Sequence, residues 1–511
     1  MLRKNSSSTF PTPPAGVTAS QATPESTWSI FSLAAIFLIF AHLCVKTFFP
    51  NPAFWFVGAG VICVAGIAFL KNRHRLFGFL LALFVCVHFA FADNQGGLWS
   101  YVICSVFLLV MLLKNQKTFS FESVPRVINW LILVFFTQQC LGLLLNPYSF
   151  ETNLQSLIVS CSQILVFYSF ASIFMSPMRV KLFFSVWFLT GSWVFFMALN
   201  QRFHWIITPS PLLPQFGSTM SPTPAGSFGN SELFAEYFCL IFVISLNFIV
   251  YSREMLRLHI KPIYAYFMFL FAVGALIMSS SRSAILLSGG ALVIIFVMNA
   301  ALLFSAQNIR RTVLLLFIVF SSIVFILAFG SFFSLERVNA DFERLDPSTI
   351  NFQSVVSGKG INRSYVYDLA HKRLDEESWW IGYGYGIPKN NRMSLGLTRV
   401  MVSDFHSLYL SLPIFYGWLG AAAYILLVIY TSLRAFRCFL RNRRRRHYMV
   451  PFVFSLAIAW GIFLADQFII SVTRNATYFL LTWILLGLTH SMINALNYHV
   501  RTVNKSMAMN R

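Results

Sequence analysis

The chain is a succession of long apolar stretches separated by short polar ones. Fourteen such stretches can be drawn, at about 28–45, 53–70, 76–92, 98–113, 127–145, 155–174, 182–199, 233–250, 263–279, 284–304, 312–332, 406–432, 448–470 and 477–494. A stretch of roughly 17–25 residues, rising 1.5 Å per residue as a helix, crosses a hydrocarbon core of about 30 Å. The pattern predicts an all-α polytopic membrane protein with about 12–14 transmembrane helices and a large outer loop between late spans. It divides the chain into a disordered tail (1–27), an N-terminal bundle (28–199), an outer loop (200–232), further helices (233–332), the large outer loop (333–405), C-terminal helices (406–494) and a tail (495–511).

Composition agrees with that reading. The 511 residues are 57% hydrophobic and 11% charged, against about 25% charged in an ordinary soluble domain. A net charge of +21 would fit a nucleic-acid binder only if it were gathered on one domain. Instead the basic residues sit in short clusters between apolar stretches, densest from Arg434 to Arg446, as an orientation signal does. The basic loops and both termini are therefore expected inside the cell, and the loops at 200–232 and 333–405 outside. The eight cysteines fall in or near apolar stretches without metal-like spacing, and the outer histidines 204, 371 and 406 are widely separated. No metal site is expected.

A few residues stand where chemistry is possible. Arg282, in "MSSSRSAILL", opens a predicted helix with almost no loop around it. A cation there needs a partner or a polar cavity. The free N–H groups of a helix start, the neighbouring serines and a guanidinium fork together make an anion cradle suited to phosphate; snorkelling or pairing with a carboxylate is the alternative. His406 opens the twelfth stretch, where it could exchange a proton with a substrate or simply cap the helix. Tyr409 follows at i+3 on the same helical face. In "GSFGNSELFAEY", Ser231 reads as a helix cap with Glu232 in the first turn. Glu236, a turn deeper, would need a partner such as Arg282 or the substrate. Arg202 and His204 lie just past the seventh stretch, able to touch an acidic head group or simply to face water. Arg363 begins an amphipathic segment, 363–380, followed by the glycine-rich turn 382–386, and could hold a second phosphate. Asp466 reads as buried at the outer end of the thirteenth stretch, with Arg474 as a candidate partner.

These motifs resemble, in order, those of the O-antigen ligase and O-antigen polymerase superfamily of bacterial envelope glycosyltransferases, which includes pilin-type protein O-oligosaccharyltransferases. His406–Ser407, nine residues, Gly417, two residues and Gly420 follow the ligase pattern His-Ser/Asn/Gln-x9-Gly-x-x-Gly. "SSRSA" (280–284) resembles the Ser-Arg-Gly/Ser-Ala element, and "WWIGYGYG" the turn before the histidine. "GSFGNSELFAEY" resembles the Gly-x-x-Gly-Asn-Pro-Asn segment, with Ser231 and Glu232 in place of its Pro and second Asn.

The resemblance implies transfer of a glycan from an undecaprenyl-pyrophosphate carrier to an acceptor at the periplasmic face of the bacterial inner membrane, without metal or other cofactor. Arg282 would stabilise the diphosphate and His406 would activate the acceptor hydroxyl, these two being the catalytic pair. Arg363, Arg202, Glu236 and Tyr409 would contact substrate. Lipid A-core is the leading acceptor; a growing polymer, as in a repeat-unit polymerase, or a protein hydroxyl are the alternatives within the family. Membrane lipids are further partners and nucleic acid is not. From a different class, an anion or lipid transporter would use Arg282 and Glu236 as a coupling pair.

Overall fold

The computed structural model describes residues 77, 80, 81, 83, 84, 123–145, 150–173, 175–203, 231–258, 260–279, 281–303, 380, 382, 407–443, 445, 447–468 and 476–509. These residues contain helices and no strand. In chain order the helices are α1 (Arg126–Leu145), α2 (Phe150–Ser172), α3 (Pro177–Phe203), α4 (Ser231–Val250), the short α5 (Ser252–Leu256), α6 (Pro262–Met278) and α7 (Arg282–Leu303). After the large loop follow α8 (Leu408–Asn442), α9 (Met449–Asp466) and α10 (Ala476–Met509). The spans expected at 28–45, 53–70, 98–113 and 312–332 lie outside the described residues, as do the amphipathic segment up to Trp379 and the N-terminal tail 1–27.

Among the described residues, five helices are long and apolar enough to cross a membrane: 177–199, 231–250, 408–442, 449–466 and 478–502. Shorter apolar helices cover 159–172, 262–278 and 283–299. The chain is an all-α, multi-pass membrane protein. Helix α4 is hydrophobic around its whole circumference, and its spanning stretch is buried throughout, the signature of a helix with neighbours on every side. It packs against α6, α7 and α9. Helices α1, α2, α8 and α10 form the adjoining group, and α9 contacts α4, α8 and α10. Phe84 packs its ring on Phe183 and Trp187 of α3.

Two contacts show how closely the second group is joined. A Cβ on Gly487 of α10 would meet the Phe167 carbonyl oxygen and lie 2.8 Å from Phe170 Cβ on α2, so only glycine permits this backbone approach. Arg434 of α8 donates to His490 Nδ1 (2.5 Å) and Asn494 Oδ1 (3.1 Å) of α10. The Asn494 amide in turn donates to the Ser123 carbonyl just before α1 (2.5 Å). Arg437, Arg441, Arg443 and Arg445 are exposed at this same end, which we call the basic end.

Also at the basic end, the Met449 N–H donates to His447 Nδ1 (3.2 Å), and the imidazole stacks on Tyr448. Burial first, then the neighbouring His499 and Arg257, hold the His447 imidazole down at about 4, below its ordinary 6.5. Protonation would remove the lone pair that caps α9 and put a cation at a helix N-terminus, where the dipole opposes it. The unfolded chain therefore takes up this proton at higher pH than the folded one. The stability contribution is complete above about 6.5 and is lost as the pH falls toward about 4. Acidifying the detergent-solubilised protein from about pH 7.5 to about pH 5 is expected to lower its thermal midpoint, and His447→Asn to flatten that dependence.

The structure corrects one boundary and extends another. The twelfth span, expected as a single helix over 406–432, starts at Leu408 and breaks at Gly417, whose φ of 67° and ψ of 166° are non-helical. Pro413 precedes the break and removes one helical hydrogen bond on its own account. The last helix continues to Met509, beyond the expected end of the apolar stretch at 494.

Candidate active site

Opposite the basic end, five helix termini converge: the starts of α4, α7, α8 and α10 and the end of α9. The sequence sets each terminus locally. Ser281 caps α7, its Oγ accepting from the Ala284 N–H (3.5 Å) and bonding to Ser283 Oγ (3.2 Å), the usual cap geometry of a serine three residues ahead of its donor. Arg282 is the first residue of that helix, as the sequence pattern predicts. Helix α4 begins at Ser231, which is thus inside the helix, and Glu232 lies in its first turn.

Glu236 is fully buried one turn further along. Its Oε2 accepts from Gln467 Nε2 (2.8 Å) and its Oε1 from the Tyr478 hydroxyl (3.1 Å). A carboxylate in a spanning helix is costly unless such donors meet it. Here it braces α4 against the end of α9 and the start of α10. Beneath it, between Trp187, Leu240, Trp460 and Phe463, is a cavity of about 10 Å³, room for a single water molecule. Asp466, the last residue of α9, is 3% exposed and interacts with the side chains of Ser283 and Glu236. Its Oδ1 has no hydrogen-bond partner among the described residues. Arg474, the partner expected for it, lies outside them. Asp466 thus reaches the first turn of the helix that begins with Arg282.

The α8 start is fixed by the same α9 terminus. The Leu408 N–H donates to the Gln467 carbonyl (2.9 Å), and Ser407 Oγ approaches the same oxygen (3.5 Å). Tyr409 donates its hydroxyl to the Leu464 carbonyl (2.7 Å), with its ring against Phe468. Gln467 therefore serves two elements at once, its amide bonding Glu236 and its carbonyl bonding α8. Nothing in the local pattern singles it out, because a glutamine at a span end reads as an ordinary boundary residue. His406, immediately before this anchored turn, and Arg363 lie outside the described residues. Arg202 lies in the last turn of α3. Among the described residues, no three His, Cys, Asp or Glu side chains converge as metal ligands.

The brace makes a measurable prediction. Glu236→Leu removes the acceptor that the Gln467 amide and the Tyr478 hydroxyl share, at a cost of about 1–3 kcal/mol for each buried hydrogen bond lost. Thermal unfolding in detergent should show a clear loss for Glu236→Leu and a smaller one for Glu236→Gln. Equal midpoints for all three proteins would refute the brace.

Residues 267–425 match the family model described as O-antigen ligase. The matched segment contains Arg282, Arg363, His406, Tyr409, Gly417 and Gly420, and excludes Arg202, Glu236 and Asp466. No curated protein matches the chain.

Proposed function

Given that the chain is a member of the O-antigen ligase superfamily through its segment 267–425, we propose that it transfers a polymerised glycan from undecaprenyl pyrophosphate to lipid A-core at the periplasmic face of the inner membrane. The observation that carries this reading is the convergence of the Arg282-bearing start of α7 and the start of α8 next to His406 on one α9 terminus, Asp466–Gln467. The orientation is supported by the exposed arginines at the opposite end.

In the proposed reaction the acceptor hydroxyl oxygen attacks the anomeric carbon of the carrier-linked sugar. The bond from that carbon to the diphosphate oxygen breaks, and undecaprenyl pyrophosphate leaves with the electron pair. His406 accepts the hydroxyl proton. Arg282 and the free N–H groups of the first α7 turn stabilise the charge growing on the diphosphate, the part of the reaction where fixed dipoles have most leverage. Helix α9, which ends at Asp466, packs against α7. Arg363 and Arg202 are secondary phosphate or head-group contacts. Tyr409 and Glu236, given their partners, hold the walls of the site. The chemistry needs no metal on this reading.

Purified protein with undecaprenyl-pyrophosphate glycan and lipid A-core is expected to form the linked product without ATP or divalent metal. Deleting the gene is expected to leave full-length polymer on its carrier and lipid A-core bare. Single-repeat chains on deletion would instead identify a polymerase, and intact lipopolysaccharide with unglycosylated exported protein a protein transferase.

A further inference from the structure

Trp380 and Gly382, far in sequence from either end of the stretch 333–405, touch the helices. Gly382, with φ of +76°, is buried against the broken turn of α8. A Cβ added to it would meet the Gly417 nitrogen and lie 2.7 Å from Tyr416 C and 2.8 Å from Phe415 O. Two residues earlier, the Trp380 carbonyl accepts from Gln138 Nε2 of α1 (2.5 Å). Gly420, one turn below the break, gives Gln138 its room: a Cβ there would lie 3.1 Å from Gln138 Cγ. Gly420 follows Gly417 by three residues, just past the break.

The depth of this contact is informative. Gly417 is nine residues beyond Leu408, about 13 Å along a helix, so Gly382, packed against it, lies below the α8 start. Non-helical backbone at that depth persists only where protein meets its polar groups, and Gln138 meets the Trp380 carbonyl. Phe135, Tyr416, Tyr424 and Trp483 pack ring on ring beneath the contact, leaving the docking surface firm.

We infer that Gln138, Gly382, Gly417 and Gly420 form a latch that holds Trp380 and Gly382, in the loop that leads in sequence to His406, onto the α8 break, with Gln138 as its positioning residue. The inference rests on the proposed reaction for its kinetic consequence and on geometry alone for the docking. The glycine pair of the motif then has a physical purpose. One glycine lets α8 break where the loop arrives, and the other admits the side chain that holds the loop.

The test uses full-length protein in detergent. Gln138→Leu keeps the side-chain size and removes the donor. It is expected to speed hydrogen–deuterium exchange across 378–386, to lower kcat about tenfold, the worth of one hydrogen bond, and to leave the donor KM and thermal midpoint near wild type. Gln138→Glu can donate only when protonated, so its rate relative to wild type should recover as the pH falls, whereas Gln138→Leu should not recover. Unchanged exchange across 378–386 in Gln138→Leu would overturn the latch. So would a kcat loss matched by a general fall in stability, or the absence of any acid recovery in Gln138→Glu. If wild-type protein transfers no glycan, the proposed reaction fails, while the exchange measurement still decides the docking.

Discussion

Arg282→Ala is expected to slow glycan transfer by roughly 10²–10³-fold, the usual consequence of removing one charge-stabilising donor from a transition state, with little change in thermal stability. The residue opens α7, where the first N–H groups have no helical acceptor and point out of the helix end. Ser281 takes up the Ala284 N–H. In the proposed reaction the remaining N–H groups meet the diphosphate, and the guanidinium would add a full charge and a planar fork to that set. Arg282→Lys keeps the charge and loses the fork, so it should recover part of the rate. Single-turnover transfer from a carrier-linked glycan measures this directly, because it isolates the bond-breaking step from product release. Equal single-turnover rates for wild type and Arg282→Ala would end the assignment.

The second large effect is expected at His406. Its removal as His406→Ala should cost about 10²–10⁴-fold, the range for general acid–base catalysis. A purely structural histidine could produce a rate loss too, so the shape of the pH–rate profile is the sharper measurement. A general base works when neutral, so the wild-type profile should fall on the acid side as the imidazole protonates. His406→Ala should lose that limb as well as rate. Retention of the same acid limb in the variant would assign the titration to another group. The next two residues, Ser407 and Leu408, are anchored to the Gln467 carbonyl. A peptide bond away, α8 is already fixed to α9.

Much of this was legible in the sequence for a simple reason. Bilayer thickness dictates span length, so apolar runs located α1 to α4 and α6 to α10 to within a few residues at most ends. The start of α7 was equally readable, since serines before an arginine in an apolar run form a cap with a charge behind it. The α8 break was hidden. Pro413 and Gly417 are visible, yet both are tolerated inside spanning helices when neighbours satisfy the freed backbone, and the partner here is a loop residue, Gly382. The meeting of Glu236 with Gln467 and Tyr478 joins residues more than 200 positions apart, beyond the reach of any local pattern. Helix α10 was cut short for the opposite reason. Beyond Leu496 its residues become polar, but the helical hydrogen bonds continue past the apolar limit to Met509.

The close crossing at Gly487 bears on the order in which the protein is assembled. Its two helices, α2 and α10, are separated by some 300 residues of chain, and Ser491 of α10 also donates to the Ile173 carbonyl just past α2. During synthesis from the N-terminus, the face formed by Phe167, Phe170 and Ala171 must wait for α10, its partner at Gly487. The same late helix brings Tyr478 to Glu236. A chain that stops before Ala476 would thus be an unclosed assembly rather than a shortened enzyme, recognisable to quality-control proteases by a helix face that has no occupant.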